Sequence, residues 1–212
     1  MPKRRVLLWA IGLLIATALS IFLIDRPLAA AVAHLSPSLE SIASGFVTGL
    51  EYLFLFNLSK FASGALVALI GLALMFKRRQ LGQALLFIGV AQLTTRLITG
   101  VLKNVFARPR PFEGPGAFFT GGSSFPSGHA AHFWGFYFAV ALVAPPRYRW
   151  PLLAIAILGS TARVMANDHY LSDVLASAAI AAVVALAWSA AYRGRREPDG
   201  QRDGGQGEDP RQ

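Results

Sequence analysis

Three short polar segments of this chain combine residue types that bind anions and transfer protons. They read KNVFARPRP at 103–111, PSGH at 126–129 and RVMANDHYLSD at 163–173. Each lies beside a stretch hydrophobic enough to enter a bilayer, where a cationic side chain is energetically costly and usually functional. Lysine and arginine mixed with histidine are typical of a site that binds an anion and also moves protons or forms covalent bonds. Phosphate is the anion that this combination favours.

Membrane-spanning helices must position these segments. The 212-residue chain is 54% hydrophobic and 15% charged, with a mean hydropathy of +0.49, whereas a soluble domain carries about 25% charged residues. Long apolar runs predict an integral membrane protein of one domain, residues 1–192. Six spans are expected at 6–24, 53–76, 81–102, 130–144, 152–164 and 174–192. The fourth and fifth are shorter than the ~20 residues of a full span, so we expect both to extend through their polar ends.

Basic clusters predict the orientation of this all-α, six-helix bundle. Four clusters stand at alternate ends of the spans, at residues 3–5, 77–79, 147–149 and 193–196. The positive-inside rule places all four, and both termini, in the cytoplasm, which brings the three polar segments together on the opposite face. This topology and an anion site explain the net charge of +9 better than a nucleic-acid partner does. Residues 193–212 are expected to form a disordered cytoplasmic tail.

The N-terminal region has two readings. A basic start, the apolar run 6–24 and small residues at 29–33 are also typical of a secretory signal peptide. The run is longer than the usual stretch of about 7–15 residues, and Asp25-Arg26-Pro27 interrupts before any cleavage site, so a retained anchor is favoured. Residues 36–58 alternate apolar and small polar side chains, which predicts a short helix at the membrane interface. The absence of cysteine excludes disulfides and thiol catalysis.

In the first polar segment, Lys103 ends the third span and Arg108-Pro109-Arg110-Pro111 follows. A proline after each arginine favours an extended backbone, so the two guanidinium groups point in set directions. Arginine suits bidentate phosphate binding, and lysine supplies a point charge. The alternative is snorkelling toward lipid headgroups at a helix end. Arg108 either binds phosphate or only shapes the loop.

The second segment, Pro126-Ser127-Gly128-His129, stands where a loop turns into the fourth span. Ser127 is a predicted N-cap, and Gly128 lets an anion approach the N–H groups of the first helical turn. His129 beside that anion is placed to give a proton to a leaving oxygen. The alternative is an ordinary capped helix with an incidental histidine.

In the third segment, His169 and Asp173 are four residues apart, which on a helix puts them on one face. A carboxylate bonded to one ring nitrogen fixes the tautomer and leaves the other nitrogen free to attack. Arg163 reaches the same pocket from the end of the fifth span. The alternative is a structural His–Asp pair that caps the sixth span.

In this order, Lys-x6-Arg-Pro, Pro-Ser-Gly-His and Arg-x5-His-x3-Asp resemble the type 2 phosphatidic acid phosphatase superfamily, which includes lipid phosphate phosphatases and is related to glucose-6-phosphatase and the vanadium haloperoxidases. The resemblance extends over residues 1 to about 192. It implies a phosphohistidine mechanism without metal or cofactor. His169 attacks phosphorus, Asp173 holds its ring, and His129 protonates the leaving group and then activates water. The implied phosphate-binding residues are Lys103, Arg110, Ser127, Gly128 and Arg163.

Some residues depart from this pattern or lie beside it. Ala162 stands where the family usually has serine, which should tune activity rather than abolish it. Asp168, beside the expected nucleophile, is read as raising the pKa of His169, repelling an acidic substrate or facing water. His132 is read as a packed or hydrogen-bonded histidine. Arg96, inside the third span, requires a partner that the sequence does not name.

The expected function is hydrolysis of a lipid phosphate, because a site at headgroup depth suits a phosphate whose tails stay in the bilayer. Undecaprenyl pyrophosphate, phosphatidylglycerol phosphate, phosphatidic acid and lipid A phosphates all stay open as substrates. The basic clusters indicate a bacterial inner membrane protein with a periplasmic site. One rival is a phosphotransferase that uses the same histidine. An anion transporter ranks lower, since the sequence shows no repeated halves or broken helices.

Overall fold

The computed structural model describes residues 1–35, 37–56, 58–114 and 116–193, and these residues form helices and loops only. The helices in the described ranges are α1 (Lys3–Leu19), α2 (Asp25–Ala33), α3 (Pro37–Leu53), α4 (Ala62–Leu74), α5 (Arg79–Phe106), α6 (Gly128–Val143), α7 (Arg149–Met165) and α8 (Leu171–Arg193). A π-helical turn, Ser20–Ile24, joins α1 to α2, and 3₁₀ turns occupy Pro111–Glu113 and Pro146–Tyr148. The all-α class is therefore confirmed, whereas the expected tail at 194–212 lies outside the described residues.

Within the described ranges, three helical stretches are long and apolar enough to cross a membrane. They are Lys3–Ala33, Arg79–Glu113 and Leu171–Tyr192, and α4 is a shorter apolar helix. The first stretch continues through Asp25-Arg26-Pro27, because Pro27 lies in the first turn of α2, where a helix tolerates proline. Membrane character thus follows from the length and apolar composition of the helices themselves.

Several helix ends differ from the expected spans. α6 begins at Gly128 and α7 ends at Met165, so both extend into their polar segments as expected. The second expected span, 53–76, is helical only from Ala62 onward, because turns follow the end of α3. The helix expected within 36–58 is present as α3, which packs against α7.

The central helix of the bundle is α6. It packs against α5, α7 and α8, and 12 of its 16 residues are buried. A helix that is apolar all round requires neighbours on every side. On α8 the neighbours in the same apolar cluster are mostly small, including Ala178, Ala182 and Ala185, and small residues let helices approach closely. The start of α6, with its PSGH segment, is therefore held on three sides.

Glycines bring α4 and α5 into backbone contact. A Cβ atom on Gly71 would lie 2.4 Å from the backbone nitrogen of Leu86, and one on Gly82 would lie 2.6 Å from that of Met75. Any larger residue at either position would push the helices apart. Because α5 carries Lys103 in its last turn, this close pairing helps to position the first polar segment.

A buried ion pair ties the junction of α1 and α2 to the loop after α5 and the start of α8. Oδ2 of Asp25 accepts from Nη2 of Arg108 at 2.8 Å, and Oδ1 accepts from the backbone N–H of Ser172 at 3.0 Å. The Ser20 hydroxyl donates to Oδ1 at 2.7 Å. All four residues are at most 3% exposed. The first and last helices therefore meet through charge as well as through apolar packing.

We expect Asp25→Ala to lower the free energy of unfolding by at least about 1–3 kcal/mol, because buried donors of Arg108, Ser20 and Ser172 lose their shared acceptor. The measurement is unfolding of the purified protein in detergent. Arg26→Ala is the matched control, since Arg26 is the exposed neighbour and exposed substitutions usually change stability by less than about 0.5 kcal/mol. Equal unfolding of the two variants would contradict the role given to Asp25.

Candidate active site

The three polar segments meet at neighbouring helix ends, as the sequence predicts. Lys103 lies in the last turn of α5, Ser127 caps α6, and Arg163 lies in the last turn of α7. His169 lies in the loop before α8. Their charges are close enough to interact, since Lys103 and Arg163 act on His169, and Arg110 acts on Lys103.

One nitrogen of the His169 ring faces both a carboxylate and a hydroxyl. Nδ1 lies 3.5 Å from Oδ2 of Asp173 and 3.4 Å from Oγ of Ser124. His169 is 3% exposed and Asp173 is fully buried. Among the described residues, no side chain or backbone group is hydrogen-bonded to Nε2 of His169. This arrangement orients the ring through Nδ1 and leaves Nε2 available for attack.

Burial keeps this imidazole unprotonated. It lowers the pKa of His169 from 6.5 to about 4, and the bond to Asp173 opposes the shift only in part. Lys103 and Arg163 lower the pKa further. The effect of Asp168 on this pKa, one of its three expected roles, stays a prediction. At neutral pH the ring is neutral, so Nε2 holds a lone pair beside cationic side chains that attract an anion.

The expectation that His169 and Asp173 share one face of a helix is wrong. Helix α8 begins at Leu171, so His169 precedes it. The pair forms because Asp173 folds back over the first turn, where its Oδ2 accepts from the backbone N–H of Tyr170 at 2.9 Å. A carboxylate at this position satisfies an N–H group that the helix itself leaves unbonded.

Arg108 holds Asp173 from the opposite side. Its Nη1 lies 2.7 Å from Oδ1 of Asp173, while Nη2 bonds Asp25. The guanidinium carbon lies 3.8 Å from the centre of the Tyr170 ring and 4.7 Å from that of Phe118. Because two carboxylates and two rings enclose this guanidinium, Arg108 shapes the site and does not face a phosphate pocket.

Ser124 belongs to the site, although sequence reasoning missed it. Its hydroxyl donates to Oδ2 of Asp173 at 2.5 Å and lies beside His169, and its backbone N–H donates to the carbonyl of Arg108 at 2.8 Å. The carbonyls of Ser123 and Ser124 accept from Nζ of Lys103. In the sequence, the only sign that this serine belongs to the site is its position just before the PSGH segment, because its partners lie on other segments.

Arg110 and Arg163 converge on the carboxylate of Asp168. Nη1 of Arg110 lies 2.8 Å from Oδ1, and Nη1 of Arg163 lies 3.0 Å from Oδ2. Each carboxylate oxygen therefore accepts from a different guanidinium group. The two arginines expected to bind phosphate are brought together, and Asp168 bonds to both of them.

His129, in the first turn of α6, faces a carboxylate from α3. Its Nε2 lies 2.5 Å from Oε1 of Glu51, and its ring stacks on Phe56 at 4.5 Å between centres. His129 is close enough to Arg163 and His169 for their charges to interact. Sequence reasoning missed Glu51, because nothing in the local sequence distinguishes it from Glu40, the other acidic residue of α3.

The start of α6 is built as the PSGH segment predicts. Oγ of Ser127 accepts from the backbone N–H of Ala130 at 3.5 Å, which confirms the N-cap. Arg96 donates from Nη1 to the carbonyl of Gly128, and its guanidinium lies 4.9 Å from the ring of Phe56. The partner that the sequence did not name for Arg96 is thus the backbone of the second polar segment.

His132 is a packed histidine, as the sequence predicts. Its Nδ1 lies 2.8 Å from Nε2 of Gln92, and its Nε2 lies 3.3 Å from Oγ of Ser63. It is 1% exposed and has edge contacts with phenylalanine rings. Both ring nitrogens of His132 are therefore engaged by side chains of the core.

Comparison with known proteins identifies the family of this chain. Residues 84–197 match the family model of the PAP2 superfamily. The chain is 33% identical over 193 residues to a lipid A 1-phosphatase of Rhizobium etli, covering 84% of this chain and 81% of the relative. It is 34% identical over 187 residues to a lipid A 1-phosphatase of Rhizobium johnstonii, covering 81% and 74% of the respective chains.

A solved membrane structure has the same fold. The crystal structure of a transmembrane PAP2-type phosphatidylglycerolphosphate phosphatase from Bacillus subtilis aligns with a TM-score of 0.61 and 22% identity, covering 91% of this chain and 96% of that chain. All three polar segments lie inside the region that the family model matches. The chain therefore belongs to the PAP2 superfamily and is a membrane protein of this phosphatase family.

Proposed function

We propose that this protein hydrolyses the phosphate ester of a membrane lipid through a phosphohistidine intermediate, with the 1-phosphate of lipid A as its substrate. The observation that carries the proposal is the buried, unprotonated His169, held through Nδ1 by Asp173 while Nε2 stays unbonded. The names of the two Rhizobium relatives support the choice of lipid. Phosphatidylglycerol phosphate, phosphatidic acid and undecaprenyl pyrophosphate are the competing substrates.

In the first step, Nε2 of His169 attacks phosphorus and the bond from phosphorus to the lipid oxygen breaks. Protonated His129 gives its proton to that oxygen, so the lipid leaves as an alcohol. In the second step, neutral His129 takes a proton from water, and the resulting hydroxide attacks the phosphohistidine. The P–N bond breaks, phosphate leaves, and both histidines return to their starting states.

Cationic and backbone groups stabilise the charge on the phosphoryl oxygens. Lys103, Arg110 and Arg163 supply positive charge, and the Ser127 hydroxyl and Gly128 N–H donate at the start of α6. Phosphoryl transfer requires mainly positioning and charge stabilisation, which metal ions supply in kinases. With the lysine and arginines in that role, the proposed reaction proceeds without a metal ion.

We expect purified protein in detergent with EDTA to release phosphate from lipid A 1-phosphate faster than from the three competing lipids. His169→Ala should lower the rate at least about 10³-fold, because it removes the nucleophile. His34→Ala is the matched control, since His34 is exposed at the end of α2. Phosphate release from none of the lipids, or from His169→Ala at the wild-type rate, would overturn the proposal. If the phosphate of the substrate is radiolabelled, label in a second lipid would assign a phosphotransferase.

Glu51 lies 2.5 Å from Nε2 of His129, and its carboxylate orients the ring for the proton transfer that we propose. We expect His129→Ala to slow release of the lipid alcohol by about 10²–10⁴-fold, the usual size of general acid–base catalysis, and the initial burst of nitrophenolate from p-nitrophenyl phosphate much less. Nitrophenolate leaves without a proton, so it does not require the acid. Glu51→Gln should show the same preference on a smaller scale. An equal loss of lipid alcohol release and of the nitrophenolate burst would contradict the role of His129 as the acid of the first step.

We also propose that six helical spans place both termini in the cytoplasm and the site in the periplasm of a bacterial inner membrane. The spans would be the continuous α1–α2 stretch and the helices α4, α5, α6, α7 and α8, with α3 at the interface. Basic clusters at alternate ends support this topology. The rings of Phe112 and Phe119 are exposed, and the centre of the Phe112 ring lies 6.0 Å from the guanidinium carbon of Arg110, so both are suited to flank a lipid entrance.

Because the chain has no cysteine, single cysteines can report its topology without background labelling. We expect a membrane-impermeant maleimide to label Thr120→Cys in intact bacteria, and to label Arg147→Cys only after the inner membrane is permeabilised. Both positions are exposed, so accessibility to solvent is matched. The opposite pattern would place the site in the cytoplasm.

A further inference from the structure

The carboxylate of Asp168 lies where the proposed function requires a phosphoryl group. Its two oxygens accept from Nη1 of Arg110 and Nη1 of Arg163 at 2.8 and 3.0 Å. The three side chains are between 11% and 28% exposed, so the cluster is at the rim of the site and not in the core. A carboxylate and a phosphate present similar pairs of anionic oxygens to guanidinium groups.

We propose that Asp168 is an internal competitor for phosphate: it occupies the Arg110–Arg163 pair in the ligand-free protein and leaves when the phosphoryl group of the substrate binds. The inference rests on the proposed function, since it assumes that these arginines bind the phosphoryl group. It adds a residue that sets how tightly the site holds an anion. Asp168 does not touch the reacting atoms and acts through the two arginines.

Charge requires Asp168 to leave. A phosphate dianion bound to the same guanidinium groups would lie beside the carboxylate, and two anions at such a distance repel strongly in a partly desolvated site. Once phosphate is bound, the two arginines also gain little from keeping the Asp168 carboxylate as a partner, because the carboxylate repels the substrate. Asp168 and phosphate therefore exclude one another at this pair.

The structure also provides space for the displaced side chain. Asp168 borders a cavity of about 310 Å³ between α2, α3 and the end of α7, with Asn167, Glu40 and Ser44 among its lining residues. This volume is about ten times that of one water molecule in the liquid. Rotation of the Asp168 side chain toward this polar cavity releases both guanidinium groups and keeps the carboxylate solvated.

An internal competitor weakens the binding of the free product as well as that of the substrate. The lipid substrate offsets the loss through contacts of its tails with the membrane, whereas inorganic phosphate has only its charges. Asp168 therefore favours release of the product after each turnover. The alternative role, in which Asp168 holds the two arginines in place for the substrate, predicts the opposite effect on phosphate affinity.

The test measures binding of inorganic phosphate to the full chain in detergent by calorimetry, with wild type, Asp168→Asn and Glu113→Gln. We expect Asp168→Asn to bind phosphate about tenfold more tightly, the effect of removing one competing charge-assisted pair. Glu113→Gln is the matched control: Glu113 bonds the backbone N–H of Arg110 at 2.7 Å and not its guanidinium. It removes the same charge nearby, and its affinity should change less than about twofold.

Each result decides the inference. Tighter binding confined to Asp168→Asn supports the competitor role. Inorganic phosphate should then also inhibit lipid hydrolysis by Asp168→Asn more strongly than lipid hydrolysis by wild type. Unchanged or weaker binding by Asp168→Asn overturns the inference while leaving the proposed function intact. Equal tightening in both variants also overturns it, because a general charge effect then suffices. If neither wild type nor Asp168→Asn binds phosphate and no lipid is hydrolysed, the proposed function itself fails.

Discussion

The architecture of the site depends on how one buried arginine is neutralised. Arg108 lies between two carboxylates, Asp25 from the first helical stretch and Asp173 from the last. An ionised group in a low-dielectric interior is stable only when it is paired and hydrogen-bonded. The same contacts that satisfy Arg108 fix the rotamer of Asp173, which in turn faces Nδ1 of His169. The orientation of the ring is thus a consequence of charge pairing that spans the bundle.

A second group of cations in and around the site is likewise paired with hydrogen-bond acceptors. Lys103 bonds the carbonyls that precede the PSGH segment, and Arg96 bonds the carbonyl of Gly128. Arg110 and Arg163 both donate to the carboxylate of Asp168. These cations are balanced by carbonyl dipoles and by the carboxylate of Asp168.

Sequence reasoning found the residues that lie inside short motifs and missed those that pair across the chain. The spacing of His169 and Asp173 identified the pair, although α8 begins too late for them to share a helix face. Asp25 was read only as an interruption after an apolar run, because its partner Ser172 lies 147 residues away. Arg108 and Arg110 are alike in type and nearly adjacent, so only packing assigns one to the core and the other to the rim.

Hydrophobic runs predicted the helical class well and individual helix ends less well. Apolar composition does not show where α3 gives way to turns before α4, and it does not show that a helix continues past Asp25. These ends depend on tertiary contacts, such as the hydrogen bond from Ser20 to Asp25 and the backbone contact of α4 with α5. Helix existence was therefore predictable from local sequence, whereas helix limits were set by distant partners.

The Asp25–Arg108 pair also defines where the functional unit begins. The family match starts at residue 84, yet one of the two carboxylates that hold an arginine inside that match comes from the α1–α2 junction. A chain trimmed to the matched region would keep every motif residue and lose a buried acceptor shared by Arg108 and Ser172. The contacts that hold the core together therefore extend beyond the region that the family model matches, since Asp25 and Arg108 pair across its boundary.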